Sequence, residues 1–265
     1  MLKRLITGTQ RRIARLEITG PIESKLRQRV LKSLKEIEKM GFRALVLRID
    51  SPGGTVGDSQ EIYQALRDLH SSGLKILASL GNIAASGGVY VAMGAHKIIA
   101  NPGTITGSIG VIIRGNNLAR LLEKVGVSFQ VIKSGPYKDI LAFDRDLTES
   151  ERLILQELID VTYNQFIQTI AQARQLTIPT IRTFADGRIF SGEQAMHLGI
   201  VDRLGSEADA RRWAAEMAGL DPEARFYEFN TRPQGLMRLL PGQASLSHVE
   251  FHLSTAGLPL WLYQP

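Results

Sequence analysis

The sequence contains no cysteine. That absence excludes disulfide frameworks, thiolate metal sites and cysteine nucleophiles together, so any covalent chemistry must start from Ser, Thr, Lys, Asp, Glu, His or Tyr. Histidine is scarce, with five residues and no H-E-x-x-H pair, which removes a zincin-type metal site; no metal and no cofactor is expected. Aromatic residues make up only 6% of the chain. Long hydrophobic runs are missing too. The longest uncharged stretch, Ile76 to Ala95, has 20 residues, of which seven are strongly apolar and four are glycine. It reads as a strand, a glycine turn and a helix start rather than a membrane span. The basic opening Met1-Leu2-Lys3-Arg4 lacks the roughly 7–15-residue apolar stretch of a secretory signal. The expectation is a cytoplasmic chain with no signal peptide and no transmembrane helix.

What is present fits a soluble globular protein: 265 residues, 44% hydrophobic and 22% charged, enough for a sizeable core. The net charge of +6 is local. Residues 1–35 carry ten basic and two acidic side chains, a net of +8, while the remaining 230 residues sum to −2. No aromatic residue is interleaved with these charges, so a stacking platform for nucleic acid is not indicated. A solvated basic face is expected, with peripheral contact to an anionic membrane surface as the second reading.

Along the chain, Ala14, Leu16 and Ile18 alternate with Arg15, Glu17 and Thr19 as a half-buried strand does. Ile22, Leu26, Val30, Leu34 and Ile37 then recur at helical spacing. Arg43 to Asp50 reads as a buried parallel strand, Asp58 to His70 as a helix, Lys75 to Leu80 as a strand and Gly81 to Gly88 as a turn. A helix from Val89 and a strand over Lys97 to Ala100 follow. Further on come a short helix (Asn117 to Val125), a strand (Ser128 to Ile132), a polar loop (Ser134 to Asp144) and a long helix (Thr148 to Gln175). That helix starts on a capping-box pattern, Thr148-Glu149-Ser150-Glu151. Ser206 to Ala218 is the last helix. Repeated strand, turn and helix units predict an α/β fold with a parallel sheet, whose ligands sit at the carboxyl ends of strands. Residues 1–220 form the expected domain, and 221–265, rich in proline, a C-terminal extension or appendage.

Two glycine-rich turns follow apolar strands. In Asp50-Ser51-Pro52-Gly53-Gly54 the glycines let backbone N–H groups face a ligand unobstructed. In Ala84-Ala85-Ser86-Gly87-Gly88 a serine between small residues opens a helix, a setting for a nucleophile beside an oxyanion site, although not the G-x-S-x-G elbow. From these residues alone a capping serine is the simpler reading. A base for such a serine is not found among the histidines: His96 lies beyond the helix that Ser86 starts, His70 sits at a helix end, and His197, His248 and His252 have no motif around them. Lys138, in the loop Lys133-Ser134-Gly135-Pro136-Tyr137-Lys138-Asp139, is the alternative, because a lysine desolvated in an enzyme site can act as general base. A surface lysine paired with Asp139 is the plainer reading.

Five linked segments change that balance. Ile49 to Gly54, Ala84 to Gly88, Thr106-Gly107-Ser108-Ile109-Gly110-Val111, Lys133 to Asp139 and Ala185-Asp186-Gly187-Arg188-Ile189-Phe190 resemble, in order and spacing, the signal peptide peptidase A (SppA) type of serine peptidase. The resemblance spans about residues 12 to 218 and is nearest to the short single-repeat form of bacteria and cyanobacteria. It implies the ClpP/crotonase fold of repeated ββα units and a Ser/Lys dyad, with Ser86 as nucleophile and Lys138 as general base. It further implies that Ser108, 22 residues after Ser86, orients the lysine. Gly54 and Gly87, with Gly53 beside them, would supply the oxyanion N–H groups. In that family serine and lysine of one site come from neighbouring subunits or repeats, so a homo-oligomer is implied.

The expected activity is that of a serine endopeptidase cleaving signal-peptide remnants or other short or unfolded peptides through an acyl-enzyme. Alternatives are an acyl-CoA enzyme on the crotonase fold and a non-catalytic peptide-binding ring. Many members of that family begin with a membrane anchor, and none is expected here. The basic start and the apolar Leu258-Pro259-Leu260-Trp261-Leu262-Tyr263 offer peripheral membrane contact, or in the case of the tail packing on a neighbouring subunit. The small residues around Ser86 suggest small or apolar side chains at the cut.

Overall fold

The computed structural model describes residues 12–229 and 257–263. Its centre is strand β2 (Ala44–Ser51), whose residues are buried in an almost unbroken run, as a parallel strand covered on both faces requires. Alternation divides the run between two layers. Leu45, Leu47 and Ile49 join one core cluster, and Ala44 and Val46 the other. Strand β1 (Ile13–Thr19) lies beside it in parallel, Leu16 opposite Leu47 and Ile18 opposite Ile49. Its Arg15 and Glu17 are only partly covered, in keeping with the half-buried pattern.

The first face is covered by three helices. Helix α1 (Ser24–Met40) turns Leu26, Val30, Leu34 and Ile37 inward, and α2 (Val56–Ser71) turns in Ile62, Leu66 and Leu69. The long α5 (Glu149–Arg174) contributes Phe166, Ile167 and Ile170 from its second half. Thr148 and Glu151 form the capping box expected there: Thr148 Oγ1 accepts from the Glu151 N–H, and the Glu151 carboxylate accepts from the Thr148 N–H at 2.9 Å. The opposite face is covered by α8 (Glu207–Ala218), where Ala210, Ala214, Ala215 and Ala218 let the helix settle onto Ile13, Val46 and Leu77.

Strand β4 (Lys75–Ala85) runs straight through the expected turn, and this is the main departure from the sequence reading. Ile49 pairs with Leu80, but Ser51 pairs with Ala84, so β4 carries two extra residues between the two pairs. The Asp50 carboxylate fills the gap by accepting from Ile83 N–H at 3.1 Å and Asn82 Nδ2 at 3.2 Å. These partners keep Gly81 to Ile83 in extended backbone. The jog also changes the neighbour of β4: its first half pairs with β5 (Lys97–Ala100) and its second half with β6 (Ile105–Gly107), both in parallel.

Beyond these, β7 (Ile189–Ser191) pairs antiparallel with β6, and β8 (Arg203–Leu204) pairs parallel with β5. Short helices α3 (Gly87–Ala92), α4 (Ala119–Lys124), α6 (Ile178–Arg182) and α7 (Gly192–His197) complete the set among the described residues. A strand over Ser128 to Ile132 does not form. Among the described residues the segment finds no strand to pair with, and Phe129, Val131 and Ile132 stay exposed.

Two described pieces of the expected extension join the body. Strand β9 (Phe226–Phe229) pairs with β1. Strand β10 (Leu260–Leu262) pairs antiparallel with β3 (Gly53–Thr55). Leu260 and Trp261 are buried in their own chain, which withdraws both side chains from the membrane or neighbouring subunit offered to them above. Among the described residues no helix is long and apolar enough to cross a membrane. Asp50→Ala strands the Ile83 N–H beside the sheet, and is expected to lower the unfolding free energy by about 1–3 kcal/mol. Urea denaturation measures this, and an unmoved midpoint would show that the carboxylate contributes nothing.

Candidate active site at the end of the central strand

Ser86 stands between the end of β4 and the start of α3 with φ 53° and ψ −113°. A non-glycine residue at such a φ costs on the order of 1–3 kcal/mol and persists only where its surroundings fix it. Here the Ser86 N–H donates to Gly107 O at 2.8 Å, and Ser86 O accepts from Tyr90 N–H at 3.0 Å. The hydroxyl is the unusual part. A capping serine accepts from an N–H of the first turn, yet Ser86 makes no such bond, and its Oγ is buried with no partner among the described residues. The capping reading is thereby removed. A buried hydroxyl left unbonded in a native fold calls for an explanation, and readiness for a reacting group is one.

Ser108 comes next. Ala85 pairs with Gly107 across β4 and β6, so the following residues, Ser86 and Ser108, lie side by side. Ser108 also has a positive φ, 51°, held by its N–H donating to Arg188 O at 2.7 Å.

The Gly53-Gly54 turn closes the other side. A Cβ on Gly54 would fall 1.9 Å from Ile22 O, and one on Gly53, whose φ is +99°, would fall 2.0 Å from Trp261 O and 2.6 Å from Gly87 N. Neither position admits a side chain. The backbone there is clamped on one edge by Ile22, whose N–H donates to Gly53 O at 2.8 Å and whose O accepts from Thr55 N–H at 3.0 Å. A Cβ on Gly87 would lie 3.1 Å from Gly54 N and 3.0 Å from Trp261 O. The backbone nitrogens of Gly54 and Gly87 thus converge on one small region beside Ser86, where an oxygen already sits.

Lys138 is elsewhere. It lies exposed in the turn-rich stretch of residues 134–142, and among the described residues its ammonium has no hydrogen-bond or ion-pair partner; no hydrogen bond joins it to Ser86. Nor does Asp139 pair with it. Asp139 instead binds Lys133 at 2.6 Å and Arg145 at 3.0 Å, and Arg145 continues to Glu151 at 2.5 Å. The Arg145 hydrogen bond, helped by Lys133, holds the Asp139 carboxyl down to about 2. Arg145 and the Thr148 N–H do the same for Glu151, also to about 2. This network ties the stretch around Asp139 to the start of α5 and leaves Lys138 out.

The histidines give no base. His70 and His96 stack on each other with ring centroids 3.5 Å apart, and His96 Nδ1 accepts from Ile76 N–H. They sit at the amino end of β4, about ten residues and so roughly 30 Å from Ser86 at extended-strand rise. His197 is at the end of α7, outside this corner, and His248 and His252 lie outside the described residues. Among the described residues no cluster of three or more His, Asp or Glu side chains could hold a metal ion.

Sequence reasoning missed Trp261, Tyr90 and Ile112. Trp261 is fully buried, stacked on Tyr90 with ring centroids 4.1 Å apart and tilted against Phe166 at 4.8 Å. The one available signal was a tryptophan among alternating leucines in Leu258 to Leu262, a short strand pattern.

Comparisons with known proteins agree in kind. The model of peptidase family S49 matches residues 68–221, and that of Clp protease matches residues 6–104. A putative protease of Synechocystis sp. is 57% identical over 97% of this chain and 98% of its own length. A putative signal peptide peptidase SppA of Enterococcus faecium is 36% identical over 77% of this chain and 62% of its own. The chloroplastic serine protease SPPA of Arabidopsis thaliana is 31% identical over 81% of this chain, which spans only 32% of that protein. Among solved structures, a mutant of ClpP1 from Listeria monocytogenes superimposes with a TM-score of 0.53 at 19% identity, over 78% of this chain and 97% of that one. That likeness gives the ClpP/crotonase fold.

The histidine pair has a pH signature. Burial, then His70 and the nearby Lys75 and Arg67, lower His96 from 6.5 to about 4; burial and Arg67 lower His70. The unfolded chain therefore takes up these protons first. Stability should hold above about pH 6.5 and decline as pH falls from there toward 4. Thermal midpoints measured between pH 8 and about 4 test this, and a midpoint flat from about 6.5 to 4 would contradict it.

Proposed function

The chain belongs to peptidase family S49 and is a serine peptidase, and from that premise we propose that it is an endopeptidase working through a Ser86/Lys138 dyad shared between subunits of an oligomer. The observation that carries this reading is the buried, unbonded Ser86 hydroxyl in a strained turn beside the Gly54 and Gly87 N–H groups. Ser86 Oγ attacks the substrate carbonyl carbon while the Lys138 amine takes its proton. The carbonyl oxygen becomes an oxyanion facing the N–H groups of Gly54 and Gly87, with Gly53 shaping the turn. Collapse breaks the C–N bond, the lysine returns the proton to the leaving amine, and water then hydrolyses the acyl-enzyme. Ser108, beside Ser86, is assigned to holding the lysine amine in place.

The arm of residues 112–147 supports the shared site. It exposes Leu121, Val125, Phe129, Val131, Ile132 and Tyr137, a larger apolar surface than a lone soluble subunit ordinarily presents. Covering it with a neighbouring subunit would remove water from around Lys138, the condition under which a lysine works as a base. Substrates in this reading are signal-peptide remnants and other short or unfolded peptides that reach the interior of a ring.

Ser86→Ala and Lys138→Ala are each expected to lower peptide cleavage on the order of a thousandfold or more while leaving the oligomer intact. Mixing the two inactive variants should recover part of the activity. Full activity in Lys138→Ala would sink the dyad, and absence of Ser86 labelling by a fluorophosphonate would favour an acyl-CoA enzyme or a non-catalytic ring. Ile132→Asp is expected to shift the particle to smaller species in sedimentation velocity, with activity lost in parallel. An unchanged particle would remove the arm from the interface.

A further inference from the structure

We propose that Ser51 is a positioning residue for the oxyanion turn: its buried hydroxyl takes up the Gly53 N–H and so holds the turn with the Gly54 N–H aimed at the substrate oxygen. The inference rests on the reading of Ser86 as nucleophile. It also removes Gly53 from the donors and leaves Gly54 and Gly87.

The turn has a soft joint. Gly53 has φ +99°, and with no Cβ to bias it the peptide units on either side can rotate at little steric cost. Rotation of either unit would turn an N–H to a new direction, so both must be fixed if the site is to keep its shape. The unit between Gly53 and Gly54 is fixed through its carbonyl, which accepts from Ile22 N–H at 2.8 Å. Because the C=O and N–H of a trans peptide point opposite ways, Gly54 N–H then faces away from that bond, into the corner it shares with Gly87 N.

The unit between Pro52 and Gly53 is fixed by Ser51. Gly53 N–H donates to Ser51 Oγ at 3.1 Å, and Ser51 is fully buried; the bond closes the short loop that a serine hydroxyl makes with backbone two residues on. Pro52, between them, brings a φ fixed by its ring and holds Ser51 to extended backbone. That conformation is what the place of Ser51 at the end of β2, opposite Ala84, requires. The Gly53 N–H is thereby directed at Ser51 rather than at a substrate oxygen.

Ser51 also touches the segment that carries the second donor. A Cβ on Gly88 would lie 3.1 Å from Ser51 O and 3.8 Å from Ser51 Cβ, so the start of α3 rests against this residue. Its side chain bonds the turn that carries Gly54, and its backbone meets the helix that carries Gly87. The spacing of the two N–H groups is therefore set in part by residue 51. Without the hydroxyl, Gly53 N–H becomes a buried donor that has lost its acceptor, and rotation about the glycine is the way to relieve it.

The test uses the full chain with Ser51→Ala, which deletes only the hydroxyl, and Ser51→Thr, which keeps one. An apolar tetrapeptide p-nitroanilide of alanine and leucine is the substrate, and the boronate of the same peptide, which forms a tetrahedral adduct on Ser86, probes the oxyanion corner. Ser51→Ala should lower kcat about tenfold to a hundredfold, with KM within about twofold of the parent, as expected when an interaction made only in the transition state is lost. Boronate affinity should fall by the same factor as kcat/KM, while binding of the uncleaved peptide to the Ser86→Ala chain should not change when Ser51→Ala is added. Hydrogen exchange over residues 51–57, read by mass spectrometry, checks the bond itself: Ser51→Ala should show one additional fast amide. Ser51→Thr should recover both the rate and the slow amide; if its extra methyl prevents the bond from forming, both stay as in Ser51→Ala. Unchanged kcat in Ser51→Ala, a rise in KM alone, an exchange pattern identical to the parent's, or a slow amide in Ser51→Thr without recovery of rate would overturn the proposal. Absence of a boronate adduct in the parent, with the exchange difference present, would remove Ser86 as nucleophile and leave Ser51 as the lock of the turn, so the two readings fail separately.

Discussion

The backbone at Ser86 is in a conformation that a serine does not adopt unaided, and the sheet is arranged to hold it there. Strand β4 is paired with β2 as far as Ala84 and with β6 as far as Ala85, and the next N–H is fixed by Gly107 O. That arrangement is available only because β4 changes neighbour halfway, from β5 to β6. The change in turn depends on the Asp50 carboxylate, which bonds the N–H of Ile83 where the ladder slips. Asp50 closely precedes the turn that carries Gly53 and Gly54. One residue therefore ties the strand that ends at Ser86 to the loop that carries Gly53 and Gly54, and it does so through the chain itself on one side and a hydrogen bond on the other.

The body and the arm are stabilised by different physics. The body buries both faces of β2 and owes its stability to apolar area. The arm has few buried side chains and is pinned at its base by Asp139, Arg145 and Glu151. Because the folded carboxyls titrate near 2 rather than near 4, their contribution is present above about pH 4 and fades as pH falls toward 2. Glu151 serves twice, as cap of α5 and as anchor of the arm, so the arm leaves the body at a fixed point while its apolar outer surface stays available. Charge is managed in a similar way. Arg15 is bound by Glu207 and Glu228, and Arg27 by Asp58 and Glu61. Some of the basic residues crowded in the first 35 positions are therefore neutralised by acids distant in sequence, so the described part of the molecule is less basic there than the sequence suggested.

Periodicity made most of the body legible. Strands β1 and β2, helices α1, α2, α5 and α8, and the capping box at Thr148 follow from side-chain spacing, because each presents one apolar face to a core. Where the decisive contact is long-range, spacing fails. Gly81-Asn82-Ile83 has turn composition, yet Asp50 makes it a strand. Ser128 to Ile132 has strand composition, but the described residues offer it no partner edge. At the site, Ser86 and the glycines could be located in sequence. Whether the hydroxyl caps a helix or stays unbonded could not, since that depends on where the N–H groups of α3 point. Trp261 escaped for the same reason: its role is defined by Gly54, far earlier in the chain.

Of the five buried side-chain polar atoms without a hydrogen-bond partner among the described residues, two, Ser86 Oγ and Trp261 Nε1, lie in the same corner of the molecule, and this bears on how the site is built. A core selected for stability alone would be expected to bond or replace both, since each costs desolvation energy with nothing to offset it. The Leu260–Leu262 segment is fixed through backbone groups, by pairing with Gly54 on one edge and Ile112 on the other. The Trp261 ring packs between Tyr90 and Phe166 with its own N–H unbonded. Ser86 Oγ is likewise left unbonded, and in the proposed reaction the bond it makes is to the substrate carbonyl carbon.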